Sequence, residues 1–472
     1  MKKIRIVDAR TNAVTLNTRM PFKYGIATMT TFPLVFVMLH CEIDGKPVSG
    51  IASDLLPPKW FKKDPDQDPQ SELQELQQVI DHACQAATGM ESSSIFDAWL
   101  DLYRVQSSWG QSKSYPALLT HFGTSLVERA LIDTYCRHTS TSFFKALKAN
   151  AFSLQLETIH AHLHDSIPGD YLPQKPLERI LARHTIGLGD PLSNEDIPKA
   201  NALNDGLPHS LEDCIKTYGL KHFKIKISGN YEADLQRLRA IASIVNTNAI
   251  NRFGFSLDGN EQFTDLPTFK DYWLRMTRSE GLKTFFERLL FVEQPLHRDV
   301  ALLPEIGEHF ETWQDRPPII IDESDGDLHS MAEGLKLGYA GTSHKNCKGV
   351  FKSIANKALL QKHQEENPNR TLLMSGEDLC NQGPIAVMQD LCVAGALGIA
   401  SVERNGHHYC RGLSDHPAAI QDEMLRHHGD VYAASAHGWP SLKIEDGSIS
   451  LRSINKAPFG VGFMPQVEAY PC

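Results

Sequence analysis

The 472-residue sequence has no run of lysine or arginine, and its formal net charge is −10. Nucleic acids and anionic membrane surfaces select a concentrated basic face, so neither is an expected partner. Cys-x-x-Cys pairs are missing as well. The nine cysteines, Cys41, Cys84, Cys136, Cys214, Cys347, Cys380, Cys392, Cys410 and Cys472, are odd in number and widely scattered, the usage of a reducing compartment. No long apolar run occurs. The N-terminus, Met1-Lys2-Lys3-Ile4-Arg5-Ile6-Val7-Asp8, interrupts its apolar residues with charge, unlike a signal peptide, and Leu391 to Val402 falls far short of the ~20 residues that span a bilayer. A cytoplasmic protein without an anchor is expected. A Gly-rich phosphate loop is lacking too, since Gly187-Leu188-Gly189 only approaches G-x-G-x-x-G, and this argues against an open dinucleotide-binding sheet.

What is present is the composition of a globular protein, 41% hydrophobic, 22% charged and 8% aromatic, in a chain too long for one ordinary domain. Residues 1 to about 60 alternate like strands, with Leu34 to Leu39 running into the turn Asp44-Gly45. From Ser71 to Leu147 the apolar spacing becomes helical, as in Leu73, Leu76, Val79 and Ile80. An α+β lobe is expected over 1–150. The stretch Lys62 to Pro69 has the alternating acids of a calcium loop, but Pro69 stands where the sharp turn needs glycine, so a solvated loop is expected.

From about residue 180 short apolar segments recur every 25–35 residues or so, each followed by a helical stretch. They are 184–188, 223–227, 253–258, 290–293, 318–322, 341–345, 371–375 and 399–403. Eight strand–helix repeats imply parallel strands closing into a barrel over 180–434, with 151–179 as an insertion or linker. The tail 435–472 returns to strand and turn signals around Glu445-Asp446-Gly447 and is expected to complete the N-terminal lobe.

Strand ends of such a barrel converge on one mouth, and here nearly every segment ends in charge. Asp258, Glu293 and Asp322 end the third, fourth and fifth segments. Three acids in one space repel unless a cation neutralises them, and an all-oxygen set suits Mg²⁺ better than Zn²⁺. Lys224 and Lys226 leave the same face of the second segment, and Lys345 arrives from the sixth. A lysine near a metal and other cations has its pKa lowered toward that of a usable base for a carbon acid.

With these residues in place the sequence resembles the enolase superfamily, more closely its mandelate racemase and muconate lactonizing enzyme family. The motifs are Phe223-Lys224-Ile225-Lys226, Leu257-Asp258-Gly259-Asn260-Glu261, Val292-Glu293-Gln294-Pro295 and Ile321-Asp322-Glu323-Ser324. The resemblance implies an α/β fold, a modified (β/α)₇β barrel with an N-terminal α+β capping domain. It implies Asp258, Glu293 and Asp322 as Mg²⁺ ligands, Lys226 as one base, Lys345 as the base on the other face, and Lys224 as the cation that tunes Lys226. The chemistry implied is removal of the α-proton of a small carboxylate through a metal-stabilised ene-diolate, by a racemase, epimerase or cycloisomerase. Rivals are a syn-dehydratase of an acid sugar, and a non-catalytic carboxylate- or metal-binding homologue. Assembly of identical chains is left open.

Two departures narrow the comparison. Where relatives with a His–Asp base pair carry histidine, this chain has Met374-Ser375-Gly376-Glu377-Asp378. Where dipeptide epimerases carry Asp-x-Asp, it has Glu403-Arg404-Asn405. Asn260, Glu323, Glu403, Asn405 and His407 are expected to support the ligands or touch substrate, with Glu323 on the face opposite Asp322. His160, His162 and His164 alternate but are expected at the surface, as are His427 and His428, and His408 beside His407. The segments Met20 to Thr31 and Ile51 to Trp60 have the Gly, Pro and aromatic content of loops that close over a ligand.

Overall fold

The structure, a computed structural model, describes residues 3–249 and 252–467; Met1, Lys2 and Cys472 lie outside them. Strands Ile4–Tyr24 (β1), Ala27–Ile43 (β2) and Lys46–Leu55 (β3) form an antiparallel meander, with the short Glu91–Ser92 (β4) on the outer edge of β1. Asp44 and Gly45 make the two-residue turn between β2 and β3, both at positive φ, the geometry that matches strand twist. Helices Pro69–Ala87 (α1), Ile95–Ser112 (α2) and Ala117–Thr139 (α3) complete the cap. Asp68 caps α1 by accepting from Ser71 N at 2.9 Å, and Pro69 occupies the first turn, where its missing N–H costs nothing. The Lys62–Pro69 segment is only partly solvated, because Lys63 Nζ donates to Asn260 O at 2.6 Å.

Every residue of α3 from Leu118 to Cys136 is buried, as a helix between two layers must be. On one side Arg129 donates to Ser53 O (2.9 Å) and to the Asp54 carboxylate (2.8 Å). On the other, Glu128 accepts from Val350 N (2.9 Å) and Phe351 N (2.7 Å), satisfying the first amides of the barrel helix Val350–Glu366. The cap is thereby fastened to the barrel through hydrogen bonds that neither part could satisfy alone.

Eight parallel strands follow: Arg179–Ile186 (β5), His222–Lys226 (β6), Gly254–Asp258 (β7), Leu289–Glu293 (β8), Ile319–Ile321 (β9), Gly341–His344 (β10), Leu373–Gly376 (β11) and Ser401–Arg404 (β12). They pair in chain order, and β12 closes on β5 with Ser401 opposite Leu181. The first strand begins five residues before the segment expected at 184–188. Arg183 explains the shift: it breaks the apolar pattern, yet it is buried inside the barrel, donating to Gly376 O at 3.0 Å and to the Glu377 carboxylate.

Gly341 opens β10 at φ +151°, and a Cβ there would fall 1.8 Å from Leu373 O. Neither the torsion nor the contact tolerates a side chain. Gly341→Ala is expected to cost roughly 2–5 kcal/mol from backbone strain and overpacking, read as a lowered urea midpoint with unchanged m-value.

Beyond the barrel, Tyr432–Ala434 (β13) and Pro440–Leu442 (β14) form a hairpin. Ser448–Ser450 (β15) pairs antiparallel with the start of β5, after a turn in which Asp446 and Gly447 take positive φ. The tail thus divides, with β15 on the barrel and the segment after it on the cap. There Phe143 N donates to Pro458 O (2.8 Å) and Asn12 Nδ2 to Val467 O (2.9 Å). Among the described residues no helix is long and apolar enough to cross a membrane, and the eight described cysteines are free and buried.

Candidate active site

Alternation along β6 sends Lys224 and Lys226 into the barrel mouth while Phe223 and Ile225 pack outward. Lys224 Nζ sits among carboxylates from four strands. It donates to Glu293 (2.9 Å), Glu377 (2.8 Å) and Glu403 (3.0 Å), and lies 3.0 Å from Asp258. Lys226 Nζ donates to Asp258 Oδ2 (2.8 Å) and Asn260 Oδ1 (2.6 Å). Lys345, just past β10, donates to Asp322 Oδ2 (2.5 Å) and lies 4.4 Å from the centre of the Trp60 ring, a cation–π contact.

Burial pulls the Lys224 ammonium down, but Asp258, Glu293, Glu377 and Glu403 outweigh it and hold it well above the usual lysine range. Lys345 is likewise raised, burial being outweighed chiefly by Asp322. Both lysines are raised because each touches acids more closely than it touches another cation. Burial raises Asp322, yet Lys345, Lys348 and Lys224 hold it far below the carboxylate range; Glu403 is lowered in the same way, chiefly by Lys224. Glu293 goes the other way, raised by burial and by Asp258 and Glu377.

Asp258 and Glu293 face each other across paired strands, and Asp322 follows β9 on the next strand. Lysine ammoniums bridge them: Lys224 joins Asp258 and Glu293, and Lys345 and Lys348 hold Asp322. The donor set fits a hard divalent cation, since it is all oxygen and includes buried carboxylate oxygens that no hydrogen bond satisfies. Glu293 Oε2 is buried without a hydrogen bond, 2.8 Å from Lys224 Nζ but outside bonding angles, and Glu323 Oε2 is buried with no partner. Glu323 does not point to the opposite face. β9 ends at Ile321, so strand alternation no longer governs residues 322 and 323, and burial beside Asp322 pushes Glu323 up to about 7.

The lysines line a cavity of about 40 Å³ together with Asn260, Glu403 and Asn405. Its roof is the cap: Phe22, Tyr24 and Met29 from the β1–β2 hairpin, and Pro57 and Trp60 from the segment after β3. Asn405 is held by Asp378, whose carboxylate accepts from Asn405 N (3.1 Å) and from Arg404 (2.8 Å), and its Oδ1 is buried without a partner. Glu403 accepts from Thr185 Oγ1 at 2.6 Å. His407 lies elsewhere. Its Nε2 meets His184 Nδ1 at 3.1 Å, and it lines a separate crevice with Tyr218 and Tyr432. His184, His407 and His408 are buried, and burial lowers all three below the usual histidine range. His160 is also buried, against Asn356, while His162 and His164 pair with surface carboxylates. His428 is buried too, on Ser453, and His427 pairs with Glu423.

Three mouth residues escaped the sequence reading. Glu377 obeys the same strand-end rule as the other acids and could have been found by it. Arg183 carried no motif. Lys348 lies three residues beyond Lys345, one turn away, and its Nζ donates to Ser343 Oγ (2.9 Å) and lies 3.4 Å from Asp322 Oδ1.

Cap, closed barrel and a lysine–carboxylate mouth define a capped β/α-barrel protein with a charged centre. No protein-family model and no curated protein matches the chain. Solved structures with the same fold do. An enolase from Bradyrhizobium complexed with magnesium and mandelic acid is 13% identical, with 99% of this chain and 97% of that one covered at a TM-score of 0.60. A dipeptide epimerase from Enterococcus faecalis complexed with Mg and L-Leu-L-Tyr is 14% identical, with 94% and 99% covered at 0.58. A muconate lactonizing enzyme from Pseudomonas fluorescens complexed with muconolactone is 16% identical, with 95% and 94% covered at 0.57. The expected modified barrel with its N-terminal cap is the fold these proteins share with this chain.

Proposed function

We propose that this chain is a Mg²⁺-dependent isomerase that removes and returns the proton next to the carboxylate of a small molecule. The observation that carries the reading is the single cavity lined by Lys226, from the second barrel strand, and Lys345, from just past the sixth. Asp258, Glu293 and Asp322 would hold Mg²⁺, whose charge stabilises the negative charge that builds on the carboxylate oxygens as the proton leaves. Burial favours the neutral amines of Lys224 and Lys345, and the acids opposing it are chiefly the proposed ligands. Occupying those acids elsewhere leaves a lysine able to act as base.

Lys226 and Lys345 then exchange the proton with the α-carbon from two sides, which permits inversion. Lys224 contacts the carboxylate, and Asn260, Glu403 and the unpartnered Asn405 Oδ1 orient the substrate. Because about 40 Å³ admits only a few waters, the hairpin carrying Phe22 and the segment carrying Trp60 must withdraw to admit substrate and close behind it. The similar structures described with mandelic acid, a dipeptide and muconolactone support a substrate of that size. The work is assigned to a cytoplasmic enzyme.

Proton NMR in D₂O, with polarimetry to detect racemisation, of the enzyme with Mg²⁺ and a panel of α-substituted acids and acid sugars tests the assignment. Racemised, epimerised or lactonised acids are the expected products. Accumulation of 2-keto acids alone would reassign the site to syn-dehydration, and no conversion across the panel would favour a non-catalytic homologue.

A further inference from the structure

A second group of ligating side chains lies behind Asn405, outside the lysine cavity. His184 on β5, Cys214 on the helix Leu211–Tyr218 and His408 in the helical turn Gly406–Tyr409 each bring one ligand atom within 4.8 Å of the others. Among the described residues this trio is gathered more tightly than the acids of the mouth, which lysines hold apart. None of the three is more than 2% exposed.

Cys214 Sγ lies 3.5 Å from His408 Nδ1. Tetrahedral zinc, with Zn–N of about 2.0–2.1 Å and Zn–S of about 2.3 Å, separates its ligands by roughly 3.3–3.8 Å, so this pair already has the spacing of two ligands. Both imidazoles also have polar neighbours, of the kind that can orient a zinc ligand. His184 Nδ1 meets His407 Nε2 at 3.1 Å. His408 Nε2 lies 4.0 Å from Asp190 Oδ2, within ion-pair reach but beyond hydrogen-bond distance, and that carboxylate accepts from Gly187 N (2.7 Å) and Tyr409 OH (2.5 Å). A further buried nitrogen, Nδ1 of His407, has no partner.

We propose that His184, Cys214 and His408 bind a zinc ion, with His407 and Asp190 as positioning residues. Two imidazoles and a thiolate select Zn²⁺ over Mg²⁺, and a water completes the four-coordinate shell. On binding, the Cys214 thiol passes its proton to solvent as the sulfur–zinc bond forms, and no electrons are transferred. The ion ties together three elements that are distant in sequence. It also fixes the turn in which Asn405 O accepts from His408 N (2.9 Å) and Tyr409 N (3.0 Å), and from which Tyr409 stacks on Phe22 of the cap with ring centres 4.0 Å apart. Zinc therefore sets the wall of the lysine cavity and the seat of the cap hairpin from outside the cavity. The proposal does not rest on the isomerase assignment.

Elemental analysis of the full-length protein, dialysed against Mg²⁺ buffer after exposure to zinc, is expected to find one zinc per chain. Cys214→Ser and His408→Gln should lose it, Asp258→Asn should keep it, and His407→Ala should weaken it about 10–100-fold. Replacing zinc by Co²⁺ should add visible d–d bands and a near-ultraviolet thiolate-to-cobalt band that Cys214→Ser lacks. Absence of both stoichiometric zinc and the thiolate band in the wild-type protein would overturn the proposal. So would zinc that persists unchanged in Cys214→Ser and His408→Gln, because the ion would then sit elsewhere. If either variant fails to fold, the cobalt spectrum of the wild-type chain decides.

Discussion

Lys226→Ala and Lys345→Ala are each expected to lower turnover by about 10²–10⁴-fold, the contribution of a positioned base. The two losses should differ in kind. Lys226 is held between Asp258 and Asn260, and Lys345 between Asp322 and the face of Trp60, so each presents its amine from its own side of the cavity. Neither can swing to replace the other without abandoning buried partners. In D₂O, α-proton exchange followed from each enantiomer or epimer separately should be lost for one in Lys226→Ala and for the other in Lys345→Ala, while net isomerisation falls in both variants. A Lys345→Ala enzyme with normal turnover would reduce Lys345 to a contact for the carboxylate, and a one-base elimination would become the better reading.

Lys224→Met is expected to cost about 3–5 kcal/mol when no divalent ion is present, as when one member of a buried ion pair is removed. Lys224 is 1% exposed and faces Asp258, Glu293, Glu377 and Glu403, while methionine keeps much of the stem and removes only the charge. Mg²⁺ should restore part of the loss, since an ion that binds only the folded state stabilises it by about 2.7 kcal/mol at a hundred times its dissociation constant. The variant should gain more from Mg²⁺ than the wild-type chain, in which Lys224 already competes for Asp258 and Glu293. Thermal melts of both proteins with Mg²⁺ and with chelator make the comparison. Equal gains would mean that the ion does not engage these two acids.

The barrel was legible because nearly every one of its strands couples a short apolar run to a charged end, a pattern that survives without any alignment. β5 was misplaced where a buried arginine breaks that pattern, and Arg183 is recognisable as interior only once Glu377 and the Gly376 carbonyl are known to face it. The lysines and the three acids were legible as residues, but their electrostatics were not. The sequence places Lys224 next to Lys226, whereas the fold surrounds it with acids drawn from residues 258 to 403. Direction of a pKa shift depends on those long-range neighbours, and spacing along one strand does not contain them.

His184, Cys214 and His408 were illegible for a related reason. The His407–His408 pair is visible in the sequence, but its partners lie about two hundred residues away on a strand and a helix that meet only when the barrel closes. Composition suggested loops over 20–31 and 51–60. Most of the first is instead the end of β1 and the start of β2, and the second begins within β3, so only residues 25–26 and the segment after Leu55 are loop. What composition could not convey is that Phe22, Tyr24 and Trp60 roof the same cavity the lysines line.

The most direct test of the proposed chemistry is the deuterium content of the α-carbon in an accepted acid recovered from D₂O. With Mg²⁺ the wild-type enzyme is expected to wash deuterium into that position at least as fast as it forms product. Without the ion, or in a Lys226→Ala/Lys345→Ala double variant, wash-in should be absent. Product formed with its α-proton fully retained, or wash-in persisting in the double variant, would contradict proton transfer by these two lysines.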